Sequence, residues 1–402
     1  MEEGKTYKLG DIASVQTGPF GSQLHNEDYV DVGTPIVTVE HLGTKSFSTQ
    51  NLPKVSQQDC IRLSKYSLKE GDIVFSRVGS VDRCSYVSEA ENGWLFSGRC
   101  LRVRAGELVY PEYLYYYFQK ESVKQEIRNV AVGATMPSIN TKLLSDLLVE
   151  LPPYDHQIKV AMILASIDEK IQINNRINHN LEEQAQALYK SWFVDFEPFR
   201  DGQFVDSELG LIPEGWAVRP LGDVTKEMRS KVGIRQDVKV LSPITTGHLV
   251  LSEEYFTKQV FSESISKYLI VQPNDFAYNP ARVNIGSIGK NVYDFDGCVS
   301  PVYVVFRCES DFDLFFDLYR RTEPFKNEVI SRSNGGVRQT LGYNDFALIK
   351  LVYPQKNVVV MFNEIYGQLL REMSHCSEEN ISLAEQRDVL LPKLMSGEIS
   401  IN

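Results

Sequence analysis

Several short stretches of this sequence carry residue types that could do chemistry, and in each the spacing fails. Gly4-Lys5-Thr6 ends as a phosphate-binding loop ends, but no glycine-rich segment or strand precedes it. Asn279-Pro280 begins like the Asn-Pro dipeptide of amino-methyltransferases, yet Ala281 stands where a second proline belongs and no glycine-rich cofactor loop lies upstream. Asp168-Glu169-Lys170 fits the tail of a nuclease motif; it falls mid-helix without an upstream acidic partner, so a solvated helix face is expected. His179 and Glu183 are four apart on a helix with no second histidine to complete a zinc site. His25, His41, His156, His248 and His375 have no ligand-spaced companions. The expectation is a chain that is not a catalyst by itself and that holds no metal and no cofactor.

The elements that must position any functional residue begin with one long apolar pattern. From His156 to Phe193, Val160, Ile167, Leu181 and Leu188 form one seven-residue row, and Leu164, Ile171, Ala185 and Trp192 the row beside it. That spacing predicts a coiled-coil helix about 57 Å long at 1.5 Å per residue. Asn174 interrupts the first row and Asn178 the second. With an offset of 202, Val160 meets Phe362, Asn178 meets Asn380, and Glu183-Gln184 meets Glu385-Gln386. Asn174, Asn178 and Asn380 are therefore candidates for fixing coiled-coil register.

The repeat reaches beyond the helices. Ser64-Lys65-Tyr66 meets Ser266-Lys267-Tyr268, Gly133 meets Gly335, and Leu147, Val149 and Leu151 meet Ile349, Leu351 and Tyr353. Near the front the offset is 212, where Leu9-Gly10-Asp11 meets Leu221-Gly222-Asp223. The chain is therefore a tandem pair of units, each a globular domain followed by a long helix. The expected fold is α+β: two α/β domains separated by two antiparallel coiled-coil helices with pseudo-two-fold symmetry, a rod with a domain at each end. The boundaries are 1–151 for the first domain, 152–200 for the central helix and linker, 201–353 for the second domain and 354–402 for the C-terminal helix. Tyr110 to Arg128 and Phe312 to Val329 are each expected as one helix, and Asp155 as the N-cap of the central helix. The polar loop residues of the two domains differ: Thr135, Met136 and Pro137 stand opposite Val337, Arg338 and Gln339. Two related ligands read separately, or drift after duplication, would each produce that.

The totals bound the class. At 402 residues, 43% hydrophobic and 24% charged, the chain can bury two ordinary cores. No run of ~18 apolar residues predicts a membrane span, and the polar N-terminus lacks a signal-peptide core. Six scattered cysteines without a CxxC pair predict a reduced, cytoplasmic protein. The net charge of −11 argues against a surface coated in base for nucleic acid, although the sum hides local distribution.

Several motifs resemble the specificity subunits of type I restriction-modification systems. They are Leu151-Pro152-Pro153 before Gln157, Ile163-Leu164, Ile167-Asp168-Glu169-Lys170-Ile171, Gly210-Leu211-Ile212-Pro213-Glu214-Gly215-Trp216 and Leu391-Pro392-Lys393-Leu394-Met395-Ser396-Gly397-Glu398-Ile399. The resemblance covers essentially the whole chain. It departs at Tyr353-Pro354-Gln355-Lys356-Asn357, which lacks the family's usual Glu-Gln after the proline, and at the front end, which lacks Pro-Glu-Gly-Trp. It implies two target-recognition domains, each reading one half of a split site in double-stranded DNA, with the coiled coil setting the spacing. It implies docking of two methyltransferase subunits and two restriction-translocase subunits, with S-adenosylmethionine, ATP and Mg²⁺ belonging to those partners.

Half-sites on one face of B-DNA lie ~34 Å apart per turn, a scale such a rod can span. Base readout calls for donor and acceptor side chains in loops, arginine suiting guanine and asparagine or glutamine suiting adenine. The candidates are Ser22, Gln23, Arg77, Ser80, Thr135 and Ser138 in the first domain. In the second they are Asn279, Arg282, Asn284, Arg332, Arg338, Gln339 and Thr340, with Ser138 and Thr340 also suited to phosphates. Competing expectations are a coiled-coil scaffold that reads nothing, a stand-alone DNA-binding regulator, and a cryptic methyltransferase or nuclease, for which no cofactor loop or catalytic motif is present.

Overall fold

The computed structural model describes residues 5–19, 23–133, 135–255, 261–262, 264–333 and 340–401. The chain forms two compact units, residues 1–175 with 377–402 and residues 176–376. The division falls inside both long helices, Tyr154–Phe193 and Lys356–Ser396. Each unit is thus a globular domain together with the helix lengths that bury against it.

In the first unit, Lys5–Lys8 pairs antiparallel with Leu148–Leu151. A four-stranded antiparallel sheet follows the spatial order Ala13–Thr17, Cys100–Ala105, Ile73–Ser76, Cys84–Tyr86. A second sheet carries Tyr29–Val30, Lys54–Val55, Thr34–Val37 and Leu95–Phe96, the last pair parallel. The second unit has the same plan. Ala217–Pro220 pairs with Lys350–Tyr353, and one sheet runs Thr225–Met228, Val304–Cys308, Phe276–Tyr278, Ile288–Lys290. Its other sheet runs Leu249–Leu251, Lys239–Pro243, Gly297–Val299, Leu269–Val271, again with one parallel pair. The registers coincide at an offset of 203: Ile73 faces Val103 and Phe75 faces Leu101, while Phe276 faces Phe306 and Tyr278 faces Val304. At the front, Leu9 N–H donates to Leu147 O and Leu221 N–H to Ile349 O, both at 2.8 Å, so the 212 offset is structural too.

One device enters both central strands. Asp72, 1% exposed, accepts from Lys69 N at 2.8 Å and from Arg104 Nε and Nη2 at 2.6 Å each. Asp275, also 1% exposed, accepts from Gln272 N at 2.9 Å and from Arg307 Nε and Nη2 at 2.6 and 3.0 Å. Gly71 and Asn274 each take a positive φ, 86° and 68°, in the turn that precedes the aspartate. That conformation is open to glycine and tolerated by asparagine.

The expected single helices are each broken. Pro111–Gln119 and Glu121–Val130 are separated at Lys120, whose ψ of 129° is extended. Asp313–Tyr319 and Glu323–Arg332 are separated where Thr322 caps the second helix, its Oγ1 accepting from Phe325 N, ahead of Pro324. The breaks let each segment turn its own apolar face to the core, Tyr113 to Phe118 in one and Val123 and Ile127 in the next. The central helix starts at Tyr154, directly after Pro153, which places Asp155 in its first turn rather than at the cap.

Within the first unit, Val160, Ala161 and Leu164 are fully buried, and Leu391 and Leu394 nearly so, in the core that also holds Tyr113 and Leu144. Full burial of a valine or leucine contributes roughly 1.5–3 kcal/mol. Asp168 meets Arg387 while Asn174 meets Glu379 and Asn380, so the two helices run antiparallel. In the second unit Ala185 of the heptad rows is buried as expected, but after it Tyr189 and Phe193 are the buried positions, packed with Phe315 and Phe362, while Leu188 and Trp192 are only partly buried. A straight helix drifts against a strict seven-residue repeat, and here it buries a face on a globular domain besides the partner helix. The seam accordingly shifts by one residue from the spacing in the sequence.

Candidate nucleic-acid interface

All three connections at one end of the first domain's antiparallel sheet are loops. Residues 18–19 leave Ala13–Thr17, residues 77–83 join Ile73–Ser76 to Cys84–Tyr86, and residues 97–99 lead into Cys100–Ala105. Gly18 N–H donates to Cys100 O at 3.3 Å and Arg77 N–H to Arg99 O at 2.8 Å, holding the three side by side. A fourth loop, described at residues 131–133 and 135–140, is laced onto them. Val78 and Ser138 form an antiparallel bridge, Gly79 N–H donates to Pro137 O at 2.8 Å, and Ile139 N–H donates to Arg77 O at 3.0 Å. Gly133 turns this loop at φ 113°, where a Cβ would come within 2.6 Å of Met136 O.

Arg77, Ser80, Thr135 and Ser138 are therefore brought together from two loops distant in sequence. Ser80 and Thr135 are exposed at the surface. Arg77 is half-buried, and its Nη1 donates to Gly98 O at 3.2 Å. Ser138 spends its hydroxyl on Val132 O at 3.1 Å, so its first role is to close the loop. Gln23 is fastened to the second sheet's side: Tyr66 Oη donates to its Oε1, and Arg62 Nη1 to its main-chain O, each at 2.7 Å. Ser22 lies outside the described residues.

The second domain gathers the equivalent loops. Asn279 to Ser287 stands where 76–83 stood, and Leu341 N–H donates to Pro280 O at 3.1 Å as Ile139 does to Arg77. Asn279 Oδ1 accepts from Ala281 N at 3.0 Å, an Asx turn that fixes the strand exit as Ser76 Oγ does by donating to Val78 O at 2.7 Å. Arg282 is exposed and Asn284 partly so on this loop, with exposed Thr340 next to the Leu341 anchor. Arg332 ends its own helix and pairs with Glu328 at 2.8 Å instead. Arg338 and Gln339 lie outside the described residues.

Two features of the structure have no signature in the sequence. Asp168 was expected on a solvated face, yet it is 6% exposed and accepts from Tyr116 Oη at 2.6 Å and Arg387 Nη1 at 2.8 Å. It joins the domain helix to both long helices beside a cleft of ≈ 760 Å³. Burial, then the nearby Asp168 charge, pushes the Tyr116 phenol far above its usual range. Glu169 is exposed, and Lys170 pairs with Glu379 at 3.1 Å. The second is a counterpart junction in the other unit, built from Asp317, Arg320, Arg321, Glu182 and Tyr366. Burial opposes the Asp317 charge, but Arg320 and Arg321 override it and hold the carboxyl below its ordinary value. His248, beside this network, is held below 6.5 by burial and then by Arg321 and Arg320.

Among the register candidates, Asn174 is fully buried and donates to Glu379 Oε2 at 2.7 Å and Asn380 Oδ1 at 3.0 Å; Asn380 donates onward to Asn175 at 2.9 Å. Asn178 is partly buried on the same helix. Gln157, 1% exposed, ties the helix start to the domain through Tyr110 N, Leu108 O and Pro152 O. Among the described residues no group of three His, Cys, Asp or Glu could hold a metal, and no helix is long and apolar enough to cross a membrane.

Residues 1–183 match the family model described as the type I restriction modification DNA specificity domain. The chain is 24% identical to the type I restriction enzyme MjaIX specificity subunit of Methanocaldococcus jannaschii, over 98% of this chain and 93% of the relative. It is 23% identical to the type I restriction enzyme HindI specificity subunit of Haemophilus influenzae, over 99% of this chain and 100% of the relative. Its fold is similar to that of a type I restriction-modification S subunit from M. genitalium, with a TM-score of 0.58 at 13% identity, covering 97% of this chain and 96% of that one.

Proposed function

We propose that this chain, a whole-length relative of type I restriction enzyme specificity subunits whose residues 1–183 form a type I restriction modification DNA specificity domain, reads a bipartite site in double-stranded DNA, one half with each globular domain. The observation that carries the reading is the contrast within the repeat. Strand register is kept at an offset of 203, while the loops at the matching sheet ends differ in their polar residues. A shared skeleton with unlike loops suits two half-sites of unlike sequence, because base identity is read by loop donors and acceptors.

In this reading the chain supplies recognition and assembly. The long helices space the half-sites and dock two methyltransferase subunits, and two restriction-translocase subunits join them. Those partners carry S-adenosylmethionine, ATP and Mg²⁺, and do the methylation and cleavage. The net charge of −11 fits this division, since the partners then provide much of the phosphate contact. The test is a domain exchange: residues 201–353 are replaced by the corresponding domain of a relative, and the chain is expressed with its neighbouring methyltransferase. The expected result is a methylated motif altered in one half only. An unaltered motif would mean that the domains do not read, as in a scaffold.

A further inference from the structure

The strand Cys100–Ala105 and its counterpart Val304–Cys308 are entered through the same turn. In the first domain it is Ser97-Gly98-Arg99-Cys100, closed by Cys100 N–H donating to Ser97 O at 2.9 Å. In the second it is Ser300-Pro301-Val302-Tyr303, closed by Tyr303 N–H donating to Ser300 O at 3.0 Å. The offset is the 203 of the paired strands, so Arg99 and Val302 hold the same position of the same turn.

Both turns lie among the loops described above. Arg77 N–H donates to Arg99 O, which puts Arg99 next to Arg77 at the sheet end. Val304, which directly follows the second turn, pairs with Tyr278, which directly precedes the loop 279–287, so that turn too sits beside its loop. Arg99 is exposed, and its side chain makes no hydrogen bond or ion pair with another described residue. Val302 is 71% exposed, an apolar side chain held out at a turn that gains nothing from it in folding. The two chemistries differ in the way that base edges differ. A free guanidinium fits the O6 and N7 acceptors of guanine, and a small apolar group fits the C5-methyl of thymine.

We propose that this turn is a reading element in both domains, with Arg99 taking a guanine in the first half-site and Val302 contacting a thymine methyl in the second. The proposal rests on the DNA-reading function above and assigns two positions to it. It separates from that reading experimentally, because wild-type discrimination between the motif and a scrambled duplex tests reading itself.

The experiment uses the chain in complex with its methyltransferase partner and synthetic duplexes carrying the methylated motif. Replacing guanines of the first half one at a time by 7-deazaguanine removes the N7 acceptor. Replacing thymines of the second half by deoxyuridine removes the methyl. At one guanine the wild type should lose ~10- to 100-fold in methylation rate, as for a bidentate base contact, and Arg99→Ala should lose nothing further there. At one thymine the wild type should lose ~4-fold, as for one buried methyl, and Val302→Ala should be indifferent. Arg99→Lys keeps the charge without the fork, so it should behave like Arg99→Ala if guanine is read and like wild type if only a phosphate is touched. Undisturbed melting temperatures establish that these surface variants fold. The proposal is overturned if either alanine variant keeps the wild-type sensitivity at every position, if Arg99→Lys matches wild type, or if the motif offers no guanine in the first half or no A·T pair in the second.

Discussion

Removing Asp72 should cost the first domain about 3 kcal/mol, and removing Asp275 should cost the second about 2. Each carboxylate is 1% exposed and accepts one backbone N–H and two guanidinium N–H groups. Hydrogen bonds to a charged group contribute roughly 1.5–3 kcal/mol when buried. The arginines are partly solvated, with 30% side-chain exposure at Arg104 and 42% at Arg307, so their share is discounted, more heavily in the second domain. Alanine would also leave the positive-φ turns at Gly71 and Asn274 without the anchor that closes them. Asp72→Asn, which keeps an acceptor for Lys69 N, should cost about half as much. Hydrogen exchange read by mass spectrometry resolves the domains separately. At ~1.4 kcal/mol per tenfold, Asp72→Ala should speed exchange in Ile73–Ser76 by about 150-fold, and Asp275→Ala should speed it in Phe276–Tyr278 by about 30-fold. Acceleration below about twofold in the variant's own strand would refute the reasoning.

Two further outcomes follow from the junctions between domains and helices. Asp168→Ala should destabilise the first unit by ~2–4 kcal/mol because Tyr116 and Arg387 lose a buried acceptor, whereas the exposed Glu169→Ala should stay within ~0.5; urea denaturation giving equal values would contradict the buried role. His248 is held below 6.5 by burial and by Arg321 and Arg320, against the opposing charges of Asp317 and Glu182. The unfolded chain therefore takes up the proton first, so this contribution to stability is present above about pH 6.5 and is lost as pH falls. His248→Asn should flatten the melting temperature between about pH 7 and pH 5, and parallel wild-type and variant curves would sink the idea.

The tandem plan was legible because duplication leaves its mark on residues under packing constraint: Val160 and Phe362, Leu147 and Ile349, Val149 and Leu351 survive as matches. Asp168 was not legible, since a carboxylate on a helix looks solvated until the Tyr116 side chain, fifty-two positions earlier, is seen to reach it. The loop cluster was half legible. Glycine and strand-end residues marked 78–83 and 132–140 as loops, but only the Val78–Ser138 bridge shows that they form one surface. Arg99 carried no local signal, because its significance comes from a turn shared with Val302 and from a neighbour, Arg77, across a strand pair. The helix breaks at Lys120 and Thr322 were not legible because each half continues the apolar pattern of the other.

The most direct test of the central claim is single-molecule methylome sequencing of a host carrying the neighbouring methyltransferase with and without this chain. The account predicts a split, adenine-methylated motif that appears only when the chain is present. An active methyltransferase whose methylation is the same with and without the chain would contradict it.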